Sequence, residues 1–293
     1  MSKKMILVGL IVLCATLSSF AGWEYSAATR AEGSKHSEMM NSEMNSWVDG
    51  DKAKIEFVKS GSPLTPAGSF MITKDGGKIM YMVNPQRKTY SKWDVAGMAG
   101  LAGGAMQMMN MKVSTPKVET LLDEKGEKIA GFATRHYRFR TSYTMEMNFM
   151  GIQRATSTVT EEDIWSCPDL KDAGLTAWMN QQGLKTGNEQ LDKLVKAELE
   201  KVKGFPLKRV VATTTKESSG EPKVMKMTTE VVTIKKASPE AGLFELPAGY
   251  QEDPMFSPKD DTSSSGGKGG QPKAGAADDN PFLKIMQQLN KGK

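Results

Sequence analysis

Apolar and polar residues alternate along most of this chain with a period of two, the spacing of a strand with one buried face. In Tyr143-Thr-Met-Glu-Met-Asn-Phe149, residues Tyr143, Met145, Met147 and Phe149 point one way and Thr144, Glu146 and Asn148 the other. Met225, Met227 and Val231 share a face opposite Lys226, Thr228 and Glu230. Half-buried antiparallel strands require this pattern. Further along, Ile79, Tyr81 and Val83 line one face and Met80 and Met82 the other, which predicts a strand covered on both sides. The same reading predicts strands at 23–30, 41–48, 53–58, 69–73, 78–84, 88–93, 133–140, 143–150, 157–166, 207–215 and 224–235. Asp75-Gly-Gly77 marks a hairpin because those residues tolerate positive φ. Residues 61–66 and Asn84-Pro85 mark turns by composition.

Helical periodicity is scarce. Thr186 with Glu189 three residues later is a capping-box signature. Leu191, Leu194, Val195, Leu199 and Val202 follow on one helical face, and a shorter helix is expected at 171–182. Residues 95–111 carry no charge and four glycines, at 97, 100, 103 and 104. That segment is too short and too glycine-rich to span a membrane, and it reads as a helix or lid packed over the sheet. The expected class is therefore α+β, mainly antiparallel β, with helices inserted late in the chain. From residue 253 to 280 Ser, Gly, Pro, Asp and Lys dominate, the composition of a disordered linker. Asn280-Pro281 then resembles a helix start, with Phe282, Ile285, Met286 and Leu289 as an apolar stripe.

The first 21 residues change the arithmetic. Lys3 and Lys4 precede an uncharged apolar run to Phe20, and Ser19-Phe20-Ala21 has the small residues of a cleavage site. This is the pattern of a secretory signal peptide cut after Ala21, and it places the product in the periplasm or outside the cell with no transmembrane span. Cleavage lowers the formal charge from +5 to +3, too weak a bias for nucleic acid. Of the two cysteines only Cys167 stays, so no internal disulfide forms. Methionine is the compositional anomaly: 21 of 293 residues, roughly threefold above ordinary usage.

Candidate chemistry is thin. There is no Gly-x-Ser-x-Gly, no His-Glu-x-x-His and no phosphate-binding loop, so no catalytic residue, cofactor or metal ligand is assigned. Asp123-Glu-Lys-Gly126 reads as a charged hairpin turn. His136, Arg138 and Arg140 fall on one face of an alternating strand, solvated by default, although the arginines could hold an anionic head group. His36, Met39, Met40 and Met44, with Met106, Met108, Met109 and Met111, could supply soft ligands to Cu(I). Methionine is equally an adaptable filler of irregular apolar surfaces, and its placement on strand faces favours that use.

Trp47-Val-Asp-Gly-Asp-Lys-Ala-Lys-Ile-Glu-Phe57, then the run from Ile72 to Tyr90 through Asp75-Gly-Gly77 and Asn84-Pro85, and finally Leu243-Phe-Glu-Leu-Pro-Ala-Gly-Tyr250, resemble an uncharacterised family of exported bacterial proteins bearing a domain of unknown function. That family is similar to the LolA/LolB-like lipoprotein-carrier fold. The resemblance implies a domain over 22–252 built as a curved antiparallel half-barrel, with a few helices as a lid over an apolar cavity. It implies a non-enzymatic carrier or binding protein for a lipid, acyl chain or other hydrophobic ligand. The residues expected to line such a cavity or its lid are Met80, Tyr81, Met82, Met98, Leu101, Met106, Met109, Tyr143, Met145, Met147, Phe149, Met225 and Met227. The alternatives are a methionine-rich copper or envelope-stress protein, and an interaction module that docks a protein partner through Asn280–Leu289.

Overall fold

The computed structural model describes residues 22–253, apart from residues 96, 98–110, 115, 150–151, 171–192, 194–195, 198–199 and 219. Every strand in this region joins one open sheet of thirteen strands. The first half is a meander: β1 (Gly22–Glu32), β2 (Ser42–Asp49), β3 (Lys52–Ser60), β4 (Phe70–Thr73), β5 (Ile79–Asn84) and β6 (Thr89–Asp94). The second half runs β7 (Met111–Val113), β8 (Lys117–Lys125), β9 (Arg135–Phe149), β10 (Ile152–Cys167), β11 (Phe205–Glu217) and β12 (Lys223–Ala237). β13 (Gln251–Glu252) lies parallel to β6 at one edge, and the other ladders are antiparallel. The two meanders meet where β1 pairs with β12 in mid-sheet, and β7 and β8 both pair with β9 at the far edge.

Local chemistry explains the tight turns. Gly76 and Gly77 adopt φ of 71° and 89°, as the Asp75-Gly-Gly77 signal requires. The Asp75 carboxylate accepts from the Thr73 hydroxyl at 2.9 Å and from the Ile79 N–H at 3.1 Å, so the turn is tied to both strands it joins. At Asn84-Pro85 the Asn84 side-chain oxygen accepts the Arg87 N–H at 3.1 Å.

The expected fold class is corrected. Helical structure among the described residues is limited to three short 3-10 turns and to Val95, Gly97, Lys193, Lys196 and Ala197, next to residues outside that set. The sheet is open rather than a half-barrel, and no helical lid covers it among those residues. Alternation in sequence specifies which residues share a face; it carries no information on closure, which depends on how strands are ordered across the sheet. Most of the two expected helices, and nearly all of 95–111, lie outside the described residues, as do the signal segment, the linker and the 281–293 helix. Residues 133–140 and 143–150, expected as two strands, are the single long β9. Asp123–Lys125 close β8, and the connection to β9 follows them: the Gly126 N–H donates to the Thr134 carbonyl at 2.9 Å.

Among the described residues the core has three parts. The largest joins Tyr25, Val48, Ala53, Cys167, Phe205, Leu207, Val231 and Ile234 of the sheet to Ile129 and Leu170. A second packs Phe70, Ile72 and Val83 against Phe244, on the chain segment that leaves β12 and crosses the sheet before forming β13. A third, Tyr137, Phe139 and Ile164, is covered by Val202. No described helix is long and apolar enough to cross a membrane.

Candidate functional site

Directly paired residues in an antiparallel ladder project to the same face, so register carries a face across the sheet. Met82 stands opposite Met71, Met71 opposite Ile55, Ile55 opposite Ser46, Ser46 opposite Tyr25, and Tyr25 opposite Ile234. Past a bulge in β12 the same face continues through Met227, opposite Ala31 and Val211, and Met225, opposite Thr213. It reaches Tyr143, Met145 and Met147 in β9, opposite Thr158, Thr156 and Arg154. Met111 and Val113 of β7 then face Met147 and Met145. Seven of the expected lining residues thus share one methionine face: Met80, Met82, Tyr143, Met145, Met147, Met225 and Met227. Met44 and Met71 join them, a placement that only the register supplies.

Sharing a face is not proximity. Met225 and Met227 are three strands from β9, about 14 Å at ordinary strand spacing, with Thr156, Thr158, Thr160 and Thr213 between. Met80 and Met82 sit five strands from β12 and are 5% and 6% exposed, members of the interior. The expected single cavity lining is therefore corrected to separate patches. The contiguous one is Met111, Val113, Tyr143, Met145 and Met147, all half-buried. Tyr81 points to the opposite face, opposite Ile72 and edge-to-face with Tyr90 at 6.1 Å. Phe149 ends β9; Met98, Leu101, Met106 and Met109 lie outside the described residues.

Two buried polar atoms on the methionine face lack a hydrogen-bond partner among the described residues: Ser46 Oγ and Trp93 Nε1. Trp93 is paired with Met80, and Ser46 with Tyr25. Burial pushes the Tyr25 phenol above its usual pKa. The Ser46 hydroxyl beside it draws that value part of the way back, although the two do not meet the geometry of a hydrogen bond.

The opposite face carries charge in the β9–β12 half. His136 stacks on Trp165 with ring centroids 4.1 Å apart, and Asp163 receives both His136 Nε2 at 2.6 Å and Arg138 Nε at 2.7 Å. Arg140 donates to Glu161 at 2.6 and 2.9 Å. Asp163 holds the Arg138 guanidinium pKa above its ordinary value. The strand face expected to be solvated or to take an anionic head group is thus a ladder of ion pairs whose arginines already have carboxylates. No trio of His, Cys, Asp and Glu among the described residues could hold a metal ion, and Cys167 is fully buried in the core.

On that same face in the first half of the sheet, sequence reasoning missed a groove of about 670 Å³. Its floor is Trp47, Lys54 and Phe70, and its wall is the 237–247 segment. Phe244 anchors the wall at 1% exposure, and Lys74 holds Glu245 of the wall at 2.6 Å. No signal short of the fold joins residues 47–70 to residues 237–247, because the contact depends on a segment returning from the far end of the chain.

No curated protein matches this sequence. A match to a defined family begins just after β1, takes in every other strand through β12 and ends at Tyr250 on the anchored segment, spanning residues 34–250. The chain accordingly belongs to the family described as a domain of unknown function, DUF4412.

Proposed function

We propose that this protein is a non-enzymatic binding or carrier protein, exported and cut after Ala21, that holds an acyl chain or another hydrophobic ligand against its methionine face. The observation that carries this reading is the half-buried patch of Met111, Val113, Tyr143, Met145 and Met147 on neighbouring strands. Unbranched thioether side chains adapt their shape to a flexible chain at little cost, which suits them to such a surface. Mature protein is expected to carry lipid through purification, seen by native mass spectrometry and solvent extraction, and to shift the emission of a fluorescent fatty acid. The Met145→Gln, Met147→Gln double variant should weaken probe binding about tenfold, the effect of losing one or two buried methylene equivalents. Protein that carries no lipid and shifts no probe would defeat the reading.

A further inference from the structure

We propose that the groove over Trp47, Lys54 and Phe70 is a second binding site, and that it takes a singly charged carboxylate with an apolar body. It lies on the opposite face of the sheet from the methionine patch and does not depend on it. Three observations converge. First, the Lys54 ammonium lies 4.4 Å from the Phe70 ring centroid and 5.8 Å from that of Trp47, and it makes no ion pair among the described residues. Aromatic faces hold a cation in place without neutralising it, so the charge remains available to an anion. Second, the walls beside that charge are apolar: Leu243, Leu246 and Pro247 rise from the crossing segment over the aromatic floor. The volume, about 670 Å³, falls within the range of small-molecule sites.

Third, the remaining charges limit what can enter. Glu24 at the rim is engaged by Lys235 at 3.5 Å, and Glu245 by Lys74 at 2.6 Å. Glu240 also lines the groove and has no ion-pair partner among the described residues. One free ammonium set against one free carboxylate leaves the lining neutral, so a bound monoanion leaves one net negative charge in the groove and a dianion such as a phosphate monoester leaves two. A single carboxylate seated on Lys54 places its apolar part along Trp47 and the leucines.

Octanoate and 1-octanol, titrated calorimetrically into the full mature chain, test this directly: they share an apolar body and differ in the head group. Octanoate is expected to bind at least tenfold more tightly than octanol, with the preference shrinking as salt is raised. Lys54→Met, which keeps the stem and deletes the charge, should abolish the preference, and Lys54→Arg should retain it. The preference should persist in the Met145→Gln, Met147→Gln protein, whose methionine patch is weakened toward both probes alike, which separates this groove from that patch. Equal binding of the two probes, no octanoate binding up to about 10 mM, or a preference that survives in a folded Lys54→Met protein would overturn the proposal. The preference of the unaltered protein needs no variant, so the test holds even if Lys54→Met fails to fold.

Discussion

Phe244 is 1% exposed and packs on Phe70, Ile72 and Val83, themselves 9%, 1% and 0% exposed. It is the apolar anchor of the segment that crosses from β12 to β13. Leu243, Leu246 and Tyr250 of the same segment pack, partly buried, around that cluster. Its polar attachments are peripheral and include the Lys74–Glu245 and Arg87–Asp253 pairs, the Gln251 N–H to the Lys88 carbonyl at 3.1 Å, and the Asp253 N–H to the Tyr90 carbonyl at 2.8 Å. Phe244→Ala removes a fully buried ring, a change that costs about 3–5 kcal/mol in protein cores. The exposed Lys74–Glu245 pair is the same in both proteins and, at about 0–1 kcal/mol, cannot hold the segment in place of the ring. The loss should fall on detachment of the segment rather than on the ladders of β9–β12, which share no core residue with Phe244. Since each 1.4 kcal/mol is a factor of ten, amide hydrogen exchange over 243–253 should quicken by about a hundred- to a few thousand-fold. Exchange in β10 and β11 should stay within a few fold. Mass spectrometry of peptic fragments reads both regions in one experiment. Unchanged exchange over 243–253, or equal acceleration across the sheet, would refute the view of this segment as a separately anchored strap.

Two further outcomes are expected. Because burial raises the Tyr25 pKa above 10.0 in the fold, an unfolded chain ionises first. The associated stability is therefore complete below pH 10.0 and lost as pH climbs through the folded-state pKa. Tyr25→Phe should flatten the fall in melting temperature between neutral and strongly alkaline pH, and identical alkaline losses in both proteins would contradict this. Gly204 has φ of 87°, and a Cβ there would lie 2.1 Å from the Cys167 carbonyl oxygen. Gly204→Ala should cost at least about 1–3 kcal/mol by urea denaturation, whereas Gly131→Ala, whose Cβ meets open space, should cost less despite a similar φ of 85°.

The sheet was legible from sequence because most of its strands turn one face further from water than the other, and that difference writes itself as alternation. Tyr143–Phe149 and Met225–Val231 announce their faces residue by residue. β8 escaped notice for the same reason in reverse: Lys117, Glu119, Glu124 and Lys125 are exposed on an edge strand, where charge guards against pairing with other chains. Strand order was not legible, since local periodicity says nothing of β1 pairing with β12. The methionine site was half legible. Alternation identified the face of Met145 and Met147, but the threonine gap before Met227 appears only once β10 and β11 are inserted between them. The Lys54 groove was not legible, because its floor and its wall are far apart in the chain and no local pattern brings the Trp47–Phe57 stretch against the Leu243–Tyr250 stretch.

The central seam has a consequence for how the chain comes together. Within each meander, strands pair with near neighbours in sequence, but the side-chain contacts that join β1 to β12, such as Ser26 to Thr233 and Thr29 to Thr229, span 207 and 200 residues. Loop closure over that distance makes the seam the slow, late step of folding. Until β12 arrives, β1 can pair only with β2, and its other edge stands bare with a full row of peptide donors and acceptors. A chain cut short before residue 223 would keep that edge permanently, as a template to which any passing strand could add.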